Sequence, residues 1–392
     1  MKTMSGLDGG WGWMVVVGSF FCYFIADGWA YSFGIIFSEL LEYFGDSKAL
    51  TATIGALIYA VPFLLSPVSC SLCSLFGCRP VAIAGGIICS LSFFASVFVA
   101  SLEALIFTLG FGVGVGLSLT YVSSIFAVTY YFEKRRGLAI GLAVTGSGIG
   151  AFVYPFVIEK FLDEYFWKGT LLLLAGLSLH IIAAGCLFFP LPQLKTQDVD
   201  VSLLKQPDTS DEPLVRTTET NKLCTEFKLL KHSILDVSLY KNWKFICLSF
   251  NSLLCYVWIG TPYVYLGDKV KTMGFSEHDG VWLFSTIGIS RTVGQIMLGF
   301  LADFKFVNEV LLYAFCILMC GVSTALLPLC STFFHFQAYS VVFGYFVSAT
   351  YSVQMLCVIR ICGLDKASNA FGVLQLLQGL ATLLGTPIPG ES

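Results

Sequence analysis

Residues 121–150 read YVSSIFAVTYYFEKRRGLAIGLAVTGSGIG. An uncharged run ends at four consecutive charged residues, Glu133, Lys134, Arg135 and Arg136, and a second run rich in small residues begins at Gly137. Basic residues between two apolar runs act as a topology signal, and small residues let membrane helices approach closely. The stretch reads as the end of one spanning helix, a short basic loop and the start of the next. A helix needs roughly 20 apolar residues to cross the hydrocarbon core, and the apolar runs at 104–130 and 137–158 both have that length.

The rest of the chain has the same character. Of 392 residues 56% are hydrophobic and 12% charged, with a mean hydropathy of +0.81; a soluble domain carries about 25% charged residues. The 36 Phe and 38 Gly fit a membrane chain, because Gly is commoner in membrane helices than in soluble ones. A net charge of −3 leaves no basic footprint for nucleic acid. Most of the 14 cysteines, among them Cys22, Cys89, Cys186, Cys247, Cys316 and Cys320, sit in apolar runs as small hydrophobes. Cys70 and Cys73 form a C-x-x-C with no second pair beside it, so no metal site is expected.

Apolar segments lie at about 14–37, 51–75, 81–100, 104–130, 137–158 and 169–190, and again at about 244–266, 281–302, 309–329, 334–359 and 369–388. The first is too long for a signal h-region and is read as a retained span. The fold class is an all-α membrane protein: a six-span bundle over 1–190, a linker over 191–241, and a five-span bundle over 242–392. The linker holds Asp198, Asp200, Asp208, Asp211, Glu212 and Arg216, is expected to be disordered in its middle, and ends in an amphipathic stretch at 227–239. With the N-terminus in the cytoplasm, 16 of the 22 Lys and Arg residues fall on the cytoplasmic side and 5 outside, with Arg291 left within a span. That asymmetry sets the orientation.

Two motifs carry further information. Asp8-Gly9-Gly10-Trp11-Gly12-Trp13 precedes the first span, where an interfacial tryptophan belt alone would account for it. Tyr131-Phe132-Glu133-Lys134-Arg135-Arg136-Gly137-Leu138-Ala139 opens the fifth span. Together, at this separation, they resemble the monocarboxylate transporter family, with Thr145 standing where Ala is usual. Gly363-Leu364-Asp365-Lys366, Asn369-Ala370-Phe371-Gly372 and Gln378-Gly379 extend the likeness over essentially the whole chain. The resemblance implies a major facilitator fold of twelve spans. With eleven in view, the expectation is a chain truncated before the last span. The family also implies a plasma-membrane location, a small monocarboxylate substrate, possible proton symport, and a single-span immunoglobulin-type glycoprotein as ancillary partner.

Ionisable groups inside a span cost about 2.5–3.5 kcal/mol even on lenient scales and mark function by default. Asp27 lies ~20 Å from the cytoplasmic end of its span and Arg291 ~18 Å, at 1.5 Å per residue. The two share a level near the midplane. Proton-coupled family members carry a Lys in the first span and an Asp and an Arg, four residues apart, in the eighth. Those places fall on Tyr31, Arg291 and Gln295 here, with Asp27 one turn before Tyr31. The charges across the cleft look exchanged. Arg291 is read as a carboxylate partner for substrate, as an ion pair with Asp27, or as a group lining water.

Other residues receive plainer readings. Arg79 in Gly77-Cys78-Arg79-Pro80 and Asp303 after Gly299 occupy equivalent loops in the two halves; they latch the inner gate or simply fix topology and cap a helix. Gly110, Gly112, Gly114 and Gly116, like Gly146, Gly148 and Gly150, are packing glycines. His180 is a proton carrier or a packed imidazole, and Glu39 and Glu42 are solvated. No nucleotide loop, zinc set or nucleophile–base pair is present in the sequence, so neither enzyme nor cofactor is expected. The leading function is a secondary carrier working by alternating access. The alternatives are a transport-incompetent truncated product acting by interaction, and a facilitative carrier of a neutral or zwitterionic solute.

Overall fold

The computed structural model of the chain describes residues 5–45, 48–190, 237–259, 273 and 277–385. Most of the expected linker and of its amphipathic stretch lies outside these residues, as does the far part of the seventh apolar segment.

The helices follow the apolar segments, and their breaks follow Gly and Pro. α1 (Gly12–Tyr31) and α2 (Phe33–Phe44) are separated only at Ser32, and α2 stops at Gly45, whose φ of 64° suits a residue without a Cβ. α3 (Lys48–Leu64) and α4 (Ser66–Phe76) meet at a 46° bend. Pro62 and Pro67 flank that bend, and each removes a helical N–H donor. α5 (Cys78–Phe98) is followed by α6 (Leu102–Tyr131), which includes a π-helical turn over Ile106–Gly112.

α7 (Arg136–Cys186) is 51 residues long and turns back at Phe166, where φ is 56° and ψ 176°. Its first arm packs along α1 at Gly146 and Gly150, and its second arm returns to Gly18. The two arms are the fifth and sixth apolar segments. α8 (Trp243–Trp258), α9 (Glu277–Ala302) and α10 (Glu309–Leu326) follow. α11 (Phe333–Ser352) and α12 (Gln354–Cys362) form a pair bent by 40°, and α13 (Leu364–Gly385) completes the described chain.

By length and apolarity five of the described helices suffice to cross a membrane, or seven when each bent pair is one span. That is fewer than the eleven apolar segments. α7 counts once although it has two arms, α8 is described over only 16 residues, and α9 and α13 carry Arg291, Gln295, Gln375 and Gln378, which lower their apolarity. Helices that line a polar interior depart from uniform hydrophobicity for this reason.

Two seams join the halves: α7 against α9, and α3 and α4 against α13. We call the end of the bundle at which α1 starts the near end. There one core is shared by both halves, with Val15, Phe126, Phe132, Leu298, Leu356 and Phe371 in a single cluster. At the far end the cores are separate. Trp29, Phe33, Phe93 and Trp167 form one in the first half, and Leu283, Ile287, Phe336 and Phe343 another in the second. The halves are thus welded at the near end and parted above it.

Candidate functional site

The parting holds a cavity of about 680 Å³, within the range of small-molecule sites. Its floor includes Phe371, whose ring meets Phe126 edge-on at 5.8 Å, and its upper wall reaches Ile259, Phe284 and Thr382. Tyr23, Tyr31, Tyr59, Tyr121, Tyr256 and Tyr351 line it, so the wall is aromatic with polar tips. Asp27 and Arg291 are its charged lining residues.

The two charges are delivered by α1 and α9 from opposite halves. Asp27 accepts a hydrogen bond from the Tyr121 hydroxyl, and Tyr23 stacks on Tyr121 at 5.7 Å. Arg291 is 7% exposed. Its Nη2 donates to Ser147 Oγ at 2.7 Å and its Nη1 to the Tyr31 hydroxyl at 3.4 Å. The guanidinium lies over the Tyr351 ring at 4.8 Å and the Tyr31 ring at 5.2 Å. Burial of a cation between two ring faces is a cation–π clamp, with one ring from each half. Asp27 is thus held by Tyr121 within its own half, while Arg291 reaches across to Ser147 and Tyr31.

Tyr31 is 40% exposed, and that exposure faces the cavity. Gln295 is placed differently. It is 0% exposed and does not line the cavity, and neither amide atom has a hydrogen-bond partner among the described residues. One turn beyond Arg291, its backbone lies against Gly141 in the α7–α9 seam. His180 is exposed on the second arm of α7, bonded to the Leu177 carbonyl at 3.1 Å, and stands apart from the cavity.

The remaining motif residues form a clasp at the near end. Asp8 Oδ1 accepts from the backbone N–H groups of Glu133, Lys134 and Arg135 at 3.0, 2.8 and 3.0 Å. Asp303, from the other half, accepts from the N–H groups of Gly137 and Leu138 at 2.7 and 2.8 Å. These are amides at the start of α7, which a helix cannot satisfy from within. Trp11 Nε1 donates to the Leu187 carbonyl at 2.8 Å, and Trp13 meets Phe132 edge-on at 5.1 Å. Gly12 faces Phe132, with 3.2 Å left for a Cβ. Gly9 and Gly10 form the turn into α1, with Gly10 at φ 56°. The Asp8–Trp13 motif and the basic loop are therefore one physical unit.

Arg79 does not join this cross-half contact. Its guanidinium sits 4.4 Å from the Phe189 ring centroid, in its own half. Arg136 Nε donates to the Thr129 and Phe132 carbonyls at 3.0 and 2.7 Å, while Lys134 and Arg135 point outward. Partial burial raises the Asp303 carboxyl above its ordinary value, against the lowering effect of the Leu138 and Gly137 amides.

Comparison with known proteins places this geometry. The family model for the Major Facilitator Superfamily matches residues 19–386. Monocarboxylate transporter 9 of Gallus gallus is 31% identical over 98% of this chain and 87% of its own length. Monocarboxylate transporter 12 of Xenopus laevis is 32% identical over 98% of this chain and 83% of its own. The chain belongs to the monocarboxylate transporter family of the major facilitator superfamily. The fold agrees: the proton:xylose symporter XylE bound to 6-bromo-6-deoxy-D-glucose superimposes with a TM-score of 0.67, covering 96% of this chain and 88% of that one at 12% identity.

In this monocarboxylate transporter relative, several site residues escaped the sequence reading. Tyr121, Tyr351 and Ser147 are uncharged residues within apolar runs and carry no signal of burial beside a charge. Ser147 had one available clue, its place between Gly146 and Gly148. Like its relatives, the chain is a multi-pass membrane transporter rather than an enzyme.

Proposed function

We propose that this chain is a secondary transporter that moves a small organic solute bearing one carboxylate across the plasma membrane by alternating access, with Arg291 as the carboxylate partner. One observation carries the reading: a guanidinium 7% exposed, held face-on between Tyr31 and Tyr351 at the wall of a cavity between the halves. A guanidinium presents a planar fork that matches a carboxylate, and a desolvated site strengthens the match. In this reading the near end is cytoplasmic, the cavity faces outward, and the Asp303 clasp to α7 is the inner gate. Rocking the halves parts Arg291 from Tyr31 and Ser147, because these lie on opposite sides of the seam.

Asp27 offsets the charge of Arg291 in the empty site. A bound carboxylate leaves one negative charge in excess, and Asp27 is the lining group placed to take a proton against it, which would couple transport to a proton gradient. The same balance favours a second reading, a zwitterionic solute that brings its own positive group and needs no proton. The test is surface-normalised uptake of lactate, pyruvate, creatine, carnitine and aromatic amino acids, with and without an inward proton gradient. Gradient-driven uptake supports the first reading and gradient-indifferent uptake of a zwitterion the second. Arg291→Ala is expected to abolish uptake at normal surface abundance; unchanged uptake in that variant refutes both.

A further inference from the structure

We propose that Gln375 is a specificity-determining residue at a second pole of the cavity, opposite Arg291. The solute it selects is a carboxylate that ends, beyond an apolar middle, in an uncharged hydrogen-bonding group such as a carboxamide. This deepens the carboxylate reading and rests on Arg291 for the other end of the solute. The geometry begins with how α13 is held. A Cβ on Gly372 would lie 2.9 Å from Pro67 Cα, and one on Gly379 2.8 Å from Phe63 Cβ, so these glycines seat α13 on the bend between α3 and α4. Gln375 falls between them at helical spacing, on the same side of α13. It borders the cavity one turn above the floor residue Phe371. Arg291 enters from the other seam, where α9 meets α7, so the two residues face the cavity from opposite sides.

Most polar groups in the wall are already bonded within the protein. Tyr59 donates to the Ala30 carbonyl at 2.9 Å, Tyr121 to Asp27, and Gln354 Nε2 to Ser252 Oγ at 3.2 Å. Gln375 differs: its Oε1 is covered and has no hydrogen-bond partner among the described residues. A covered carbonyl without a partner is costly, and a ligand donor relieves it. The terminal amide torsion is soft enough to turn that oxygen to the cavity. Among the described lining residues the charges are Asp27 on α1 and Arg291 on α9, so the α13 side is neutral. A cationic end would be drawn to Asp27, whereas an amide, which both donates and accepts, complements a carboxamide. Ile58, Val122, Ile125 and Met355 also line the cavity and suit an apolar middle. A volume of about 680 Å³ leaves room for a solute longer than a three-carbon acid.

The experiment uses the purified full chain in lipid nanodiscs and reads the concentration of each probe that half-saturates its thermal stabilisation. The probes are straight-chain carboxylates of graded length ending in a carboxamide, a methyl group or an ammonium group. At one chain length the carboxamide is expected to bind about threefold to tenfold tighter than its methyl-ended counterpart, the effect of one net hydrogen bond. Gln375→Leu is expected to erase that preference while keeping the methyl-ended probe within about twofold of wild type. Absence of the preference at every length in the wild type overturns the proposal, as does its persistence in Gln375→Leu. Tighter binding of the ammonium series than of the carboxamides overturns the choice of a neutral end. If Gln375→Leu binds no probe, Gln375→Asn decides: its shorter amide must move the best carboxamide to a longer chain, and an unmoved optimum overturns the proposal. Probes whose carboxylate is replaced by a methyl ester form a separate arm. If these bind as well as the acids while the Gln375-dependent preference remains, the carboxylate reading fails and the second pole stands.

Discussion

The clasp at the start of α7 yields a prediction that can be worked from distances. Replacing Asp303 by Ala removes the acceptor for the Gly137 and Leu138 N–H groups, held at 2.7 and 2.8 Å. Hydrogen bonds to a charged group contribute about 1.5–3 kcal/mol each when water is excluded. Asp303 is half-buried, so water takes back part of that, and we assign the pair a net ~1–2 kcal/mol. That corresponds to roughly 5–30-fold faster exchange of these two amides with deuterium, if exchange follows local opening. Asp8 supplies an internal control, because it holds the adjacent amides of Glu133, Lys134 and Arg135 from within the same half. Hydrogen exchange resolved by fragmentation mass spectrometry should show Asp303→Ala loosening 137–138 while sparing 133–135. Asp8→Ala should do the reverse. If either variant loosens both segments equally, the two carboxylates do not act separately and the cross-half gate is refuted. Unchanged exchange in Asp303→Ala would show that the near end is held by apolar packing alone.

Three further outcomes follow from the same geometry. Gly148→Ala drives a methyl into Thr292 Oγ1 across the α7–α9 seam, and overpacking of this kind costs about 1–3 kcal/mol; thermal melting of the purified protein should fall, and an unchanged midpoint would mean the seam is loose. Trp11→Phe removes the Nε1–H bond to Leu187 and keeps a ring beside Phe189, so a loss of about 0.5–1.5 kcal/mol is expected in the same melt, with Trp11→Ala losing more. The third concerns pH. Burial raises the Asp303 carboxyl, so the closed near end holds a proton more tightly than an open one in which the group is in water. That contribution to closure is complete below the ordinary carboxylate value of about 3.9 and is lost as pH rises through the raised value. Exchange at 137–138, corrected for intrinsic rate, should slow as pH falls through the raised value; acceleration would refute the sign.

Hydropathy and charge patterning determined the class of molecule before any geometry was known. A 20-residue apolar run has few alternatives to a helix in lipid, but the 46° bend beside Pro62 and Pro67 falls inside the single apolar segment at 51–75, whose hydropathy does not show it. Asp27 and Arg291 share one level by residue count alone, because a helix converts residue number into height with little error. Their convergence on one cavity was a matter of tertiary structure, since height says nothing about rotation or about which helices become neighbours. Gln295 shows the limit: it follows Arg291 by one turn, yet packs into the α7–α9 seam instead of facing the cavity. Arg79 and Asp303 occupy equivalent loops in sequence, but only the contact of α9 with α7 carries one of them across the halves. Ser147 is an ordinary small residue until Gly146 and Gly148 bring two charged helices to it. Periodicity and burial cost are local properties and are written along the chain, whereas the pairing of polar groups depends on the close approach of helices far apart in it.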